Sequence, residues 1–140
     1  MIIFDGKAFA KKIEEDLVKS GKLKGKKLLI VSLDPENPYV RLKREFGERC
    51  GVRVQVTSDN GELTKGEYDG VLVQLPVNDK KILDRIPVER DVDGLRPAAS
   101  SQQSAVRFLP AAVVAVEKIL AEAEKAGAYY FDIFLKFAEQ

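Results

Sequence analysis

A chain of 140 residues with 45% hydrophobic and 32% charged side chains has the size and balance of one soluble globular domain, and a second full domain is not expected. A formal net charge of +1 gives no general attraction to nucleic acid or to an anionic membrane. No apolar run reaches membrane-spanning length and Met1 to Phe4 is too short for a signal-peptide core, so a cytoplasmic location is the expectation.

The absence of histidine excludes imidazole triads and histidine-rich metal sites, and the single cysteine, Cys50, excludes an internal disulfide. No bound metal is expected. Acid–base chemistry falls to Lys, Asp, Glu or Tyr.

In chain order, Asp5 is placed to cap a helix whose apolar positions Phe9, Ile13 and Leu17 alternate with lysines and glutamates, and Gly21 ends it. Residues 28–33 form a short apolar run between Lys26-Lys27 and Asp34-Pro35, which predicts a buried strand. Asn37 then caps a second helix, Pro38 suits its first position and Gly51 its left-handed close.

On a wheel this second helix sorts into an apolar arc of Tyr39, Val40, Leu42, Phe46 and Cys50 and a charged arc of Arg41, Arg44, Glu45, Glu48 and Arg49. Lys43 falls inside the apolar arc, one turn after Tyr39. Two uses fit such a lysine. Its ammonium snorkels to the rim, the commoner outcome, or is a functional group that finds a partner or lines a cavity beside the tyrosine.

Residues 52–56 alternate as a half-buried strand at a sheet edge does, and residues 57–68 are polar, with little room for a crossover helix. Residues 71–73 predict a third strand that stops at Gln74-Leu75-Pro76. Asn78 or Asp79 can cap a short helix using Ile82, Leu83 and Ile86 before Pro87. Residues 90–94 form an acidic turn and residues 98–104 a polar loop. Pro110 opens a helix running to about Lys125, with Gly127 as its stop. The aromatic stretch 129–137 predicts a C-terminal helix that packs on this domain or on another copy.

The order of elements predicts an α/β domain over residues 1–140: a small three-layer, mostly parallel sheet flanked by helices, with the C-terminal helix (128–140) packing back. Ligands gather at the carboxyl ends of such strands. Residues 34–43 and 74–76 both follow strand ends, so they should meet at one crevice with Tyr39, Lys43, Gln74, Asp91 and Asp93 around it.

Those residues, in that order, resemble the N-terminal catalytic domain of the bifunctional methylenetetrahydrofolate dehydrogenase/cyclohydrolase family. The resemblance runs through Asp5-Gly6-Lys7, Asp34-Pro35, Tyr39-Val40 with Lys43, and Gly51-Val52. It continues through residues 69–76, Asp91-Val92-Asp93-Gly94-Leu95 with Pro97, and Phe108-Leu109-Pro110. A Tyr-x-x-x-Lys spacing also occurs in short-chain dehydrogenases, but the glycine-rich dinucleotide loop of that family is missing.

The resemblance implies a folate site. Lys43 would carry the proton transfers that open 5,10-methenyltetrahydrofolate to 10-formyltetrahydrofolate, with Tyr39 stacking on the folate rings and Gln74 positioning the lysine. Asp93, with Asp91 as the alternative, would hold the amino and N–H edge of the pterin. Val40, Leu75, Pro76 and Pro110 complete the implied substrate contacts. Withdrawal of Lys43 into an apolar arc beside a cationic substrate would favour the neutral amine that a base requires. The bland alternatives are that Gln74 caps a strand end and that Asp91 and Asp93 are ordinary turn formers.

The chain departs from the family in three places. No glycine-rich phosphate loop is present, so NADP is not expected as a cofactor and dehydrogenase activity is not expected. Pro110 is followed by Ala111-Ala112-Val113 and not by the family's Cys-Thr-Pro. The crossover before the third strand is clipped. The expected function is therefore a stand-alone cyclohydrolase. The alternatives are a non-catalytic module that either binds folate or pairs with a separate nucleotide-binding protein through its aromatic C-terminal segment, and an inactive truncated or redesigned scaffold. As partners, a homodimer or a partner subunit held through the C-terminal aromatic helix is the expectation.

Overall fold

The computed structural model describes residues 5–95 and 116–122, and the fold follows from how three parallel strands are connected. Helix α1 (Gly6–Ser20) starts where Asp5 Oδ1 accepts the N–H groups of Lys7 and Ala8, as its sequence predicts. Strand β1 (Lys27–Val31) leads into α2 (Pro38–Arg49), capped by Asn37, whose Oδ1 accepts the Tyr39 N–H at 2.8 Å. Gly51 follows at φ +84°, a left-handed conformation that a side chain would strain. Strands β2 (Arg53–Thr57) and β3 (Gly70–Val73) complete the sheet.

The order is β2-β1-β3, with Leu29 opposite both Gln55 and Val71. Successive residues of β1 face opposite sides of the sheet, which divides the core in two. Ile30 and Leu72 pack with Val40 of α2 on one side. Leu29, Val31, Val71 and Val73 pack with Leu63, Ile82 and Ile86 on the other. The β1–β2 and β2–β3 crossovers thus cover opposite faces, giving three layers: α2, the sheet, and short 3-10 helices. This is the α/β architecture expected, and the sheet is wholly parallel among the described residues.

Several expectations need correction. The clipped crossover is not a plain loop: residues Asn60–Thr64 form a 3-10 helix that buries Leu63 to 1% exposure. The short helix after β3 is also 3-10 (Lys80–Arg85), and of its two candidate caps Asp79 is the one used. Of the apolar arc on α2, Val40 and Cys50 are buried, but Tyr39 and Leu42 are exposed. Lys43 is itself exposed, so it is not withdrawn among apolar neighbours. Nothing on α1 is buried either. That helix is fastened by Glu14, whose carboxylate accepts from Arg49 Nε at 2.6 Å and from Arg49 Nη2 at 3.3 Å.

Residues 116–122 are helical and return to the domain, where Glu122 lies 3.9 Å from Lys12 Nζ. The expected loop at 98–104, the helix start at Pro110 and the aromatic stretch 129–137 lie outside the described residues. Among the described residues no helix is long and apolar enough to cross a membrane, and no cluster of three or more Cys, Asp or Glu side chains could hold a metal ion.

Candidate functional site

The carboxyl end of β1 is shaped by the buried residue that follows it. Ser32, 4% exposed, donates its hydroxyl to the Asp34 carbonyl at 2.9 Å and accepts the Asp34 N–H at 3.3 Å, which bends the chain off the sheet. Asp34 Oδ1 then accepts the Glu36 N–H at 3.1 Å, and the Asn37 cap starts α2. Ser32 is a site-shaping residue that sequence patterning misses. Its only signal in sequence is a hydroxyl closing an apolar run.

Strand β3 ends beside β1, where Gln74 N–H donates to the Val31 carbonyl at 2.8 Å. The Gln74 side chain is oriented from its own backbone, since Nε2 donates to the Leu75 carbonyl at 3.1 Å. That leaves Oε1 as the acceptor for Lys43 Nζ at 2.5 Å. The residues are 31 positions apart and meet because the ends of β1 and β3 are neighbours.

Around this pair, Tyr39 stands 68% exposed on the first turn of α2, and Leu75 and Pro76 are exposed beyond β3, joined by a cis peptide bond. Val40, expected against substrate, is instead buried against Ile30 and Leu72. Asp91 is 4% exposed and its Oδ1 accepts from the Gly94 and Leu95 N–H groups. Asp93 is partly exposed and makes no hydrogen bond or ion pair with a described residue. Pro110 lies outside the described residues. Chemically, the arrangement offers one amine held by a neutral acceptor, an open aromatic face and a carboxylate.

Hollows elsewhere have other linings. One of about 580 Å³ lies between α1 and α2 and is bordered by Lys11, Glu14, Val18 and Arg49. Another of about 300 Å³ lies at the opposite end of the strands, bordered by Lys27, Arg53, Glu67 and Tyr68. Burial and the Glu62 carboxylate, which accepts from its hydroxyl at 3.2 Å, push the Tyr68 phenol above its usual value.

No family model matches the chain. Among known proteins it is similar to the bifunctional protein FolD of Bacillus licheniformis, 29% identical over 149 residues that cover 87% of this chain and 52% of that protein. FolD of Campylobacter jejuni is 34% identical over 122 residues, covering 69% of this chain and 43% of its own length. A crystal structure of C. jejuni FolD, a methylenetetrahydrofolate dehydrogenase/cyclohydrolase, superposes with a TM-score of 0.67 at 29% identity, over 86% of this chain and 52% of that one. The chain thus spans about half the length of the relatives it matches. With the shared fold and the motifs in order, the chain belongs to the FolD family of bifunctional methylenetetrahydrofolate dehydrogenase/cyclohydrolases and corresponds to its N-terminal domain.

Proposed function

We propose that the chain is a methenyltetrahydrofolate cyclohydrolase that works without a nicotinamide cofactor. The observation that carries this is the hydrogen bond, 2.5 Å long, from Lys43 Nζ on α2 to Gln74 Oε1 at the end of β3. In the proposed reaction water adds to the cationic methenyl carbon of 5,10-methenyltetrahydrofolate. Lys43 takes one proton from the adding water and returns it to N5 as the carbon–N5 bond breaks, while the hydroxyl left on the carbon loses its own proton to solvent and becomes the formyl carbonyl on N10, so that one proton is released overall. Gln74 fixes the nitrogen without supplying a charge. Tyr39 provides a face for the folate rings, Leu75 and Pro76 border it, and Asp93 accepts from the pterin N–H edge.

Because Lys43 is exposed, its role as a base rests on the substrate. A bound cationic ring system excludes water and disfavours a second positive charge nearby. The residues present do not fit a dinucleotide. The sequence holds no glycine-rich loop, and the β1–α2 connection carries the carboxylates of Asp34 and Glu36 where a phosphate would need free N–H groups.

Methenyltetrahydrofolate loss followed by absorbance tests the proposal. Lys43→Ala is expected to lower the rate by about 10²- to 10⁴-fold, the usual share of a general acid–base. Equal rates for parent and variant refute the catalytic role. A second function has its own observation: the site is open, with Tyr39 and Leu75 largely in solvent, as suits a folate-binding module completed by a partner or a second copy. Tight folate binding with no turnover until a nucleotide-binding protein is added would favour it.

A further inference from the structure

The turn at residues 91–95 holds two aspartates in unlike surroundings. Asp91 forms an isolated parallel bridge with Val71 of β3, whose carbonyl accepts the Val92 N–H at 3.1 Å. From there Asp91 Oδ1 accepts the Gly94 N–H at 2.9 Å and the Leu95 N–H at 3.3 Å. Leu95 anchors the far end by packing on the Leu29 core. Both ends of the turn are tied down, and Asp93 lies between them.

A carboxylate oxygen that accepts two backbone N–H groups of its own turn is engaged in shaping that turn. Since Asp91 pairs with Val71 in parallel, the chain leaves the bridge toward the end of β3 that carries Gln74. The turn therefore runs from the level of Val71 toward the strand end where Gln74 bonds Lys43.

We propose that Asp91 is a positioning residue. Through Oδ1 it closes the 92–95 turn and presents Asp93, rather than itself, to an N–H donor edge of the ligand. The inference rests on the folate function above for the identity of that ligand, but its geometric half does not.

The test uses the whole chain with Asp91→Asn, Asp91→Ala, Asp93→Asn and the double variant Asp91→Ala/Asp93→Asn. Amide hydrogen exchange at Gly94 and Leu95 without ligand is read alongside KM and kcat for methenyltetrahydrofolate, or Kd where there is no turnover. Asp91→Ala is expected to deprotect both amides and to raise KM by about 10- to 100-fold, the scale of a misplaced binding group, with a smaller change in kcat. Asp91→Asn keeps an Oδ1 acceptor and is expected to keep both amides protected and to recover most of the lost affinity. In the Asp93→Asn background, Asp91→Ala should add less than about twofold, because the residue it acts through is already altered.

The proposal is overturned if Asp91→Asn leaves the amides protected yet weakens binding as much as Asp91→Ala, which is the behaviour of a direct ligand contact. Full additivity in the double variant also overturns it. If Asp91→Ala does not fold, Asp91→Asn against Asp93→Asn decides: the first must bind more tightly than the second. If the parent neither binds nor converts the folate, the function falls, while exchange at Gly94 and Leu95 still decides whether Asp91 shapes the turn.

Discussion

Replacing Gly47 with alanine tests how the candidate site is held, because that residue sets how closely α2 lies on the sheet. A Cβ built there would be 2.9 Å from Val54 Cγ2 and 3.7 Å from Val52 Cβ. Carbon atoms rest at about 3.5–4.0 Å, so helix and strand must separate by roughly 0.6–1 Å at this point. Val54 has little freedom to yield, being β-branched and packed against Ile30 and Leu72. Overpacking of this kind costs about 1–3 kcal/mol, and alanine's better helix propensity returns about 1 kcal/mol. The net expectation is a loss of zero to about 2 kcal/mol in urea unfolding. Lys43 lies one turn earlier on the same helix, so the displacement also strains its 2.5 Å bond to Gln74. The rate of methenyltetrahydrofolate opening should fall more than stability does, by about tenfold or more. A variant more stable than the parent by about 1 kcal/mol with an undiminished rate would refute the reasoning, since it would mean that the helix does not bear on Val54.

Gln74→Glu turns the neutral acceptor for Lys43 into an anion, an ion pair that holds a proton on the nitrogen; stability should change by less than about 1 kcal/mol while turnover drops by about 10²-fold. Full activity in this variant would show that Gln74 does not set the state of the base. The hydrogen bond from Arg49 holds the Glu14 carboxyl below the ordinary glutamate value of 4.5. A lowered folded-state value contributes stability above the unfolded value and loses it as pH falls through the folded one. Protection of the α1 amides, corrected for intrinsic exchange, should therefore decline below that ordinary value, and in Glu14→Gln it should already be low at neutral pH. Equal α1 protection in parent and variant would show that the pair does not fasten the helix. Ser32→Ala removes the hydroxyl that bonds both the N–H and the carbonyl of Asp34; because Asp34 is exposed and water can replace the hydroxyl there, the expected cost is about 0.5–1.5 kcal/mol, measurable by denaturant unfolding.

What was legible in the sequence was local. Asp5, Asn37 and Asp79 are caps whose oxygens lie within three residues of the N–H groups they accept, so a short window contains the whole interaction. The apolar run before Asp34 reads as a strand buried on both faces because it is buried on both faces. The 3-10 helix at Asn60–Thr64 escaped because a single apolar residue, Leu63, anchors it, and one residue has no period. The exposure of Lys43 escaped for another reason. A wheel gives the direction of each side chain but not what stands opposite it. Opposite Val40 are Ile30 and Leu72, whereas Lys43 extends to Gln74 at the end of the sheet. Nor does the alternation Asp91-Val92-Asp93 show which carboxylate turns inward, because that is settled by the bridge to Val71, 20 residues earlier in the chain.

Why the two segments meet at all follows from strand order. From β1 the chain crosses to β2 over one face through α2, and from β2 it returns past β1 to β3 over the other face. At the carboxyl ends of the neighbours β1 and β3 the chain leaves to opposite faces, through α2 after β1 and through the Lys80–Arg85 3-10 helix after β3. This is the topological switch point where open α/β sheets bind their ligands. Lys43 approaches it from the β1 side and Gln74 from the β3 side. The Asp91 turn begins on the outer flank of β3. A short 3-10 crossover is enough to bring β3 into register with β1, because Leu63 fills the face that a longer helix would cover. Shortening that connection therefore removes nothing from the switch point itself. The pairing of Lys43 with Gln74 depends on β1, α2 and β3 alone.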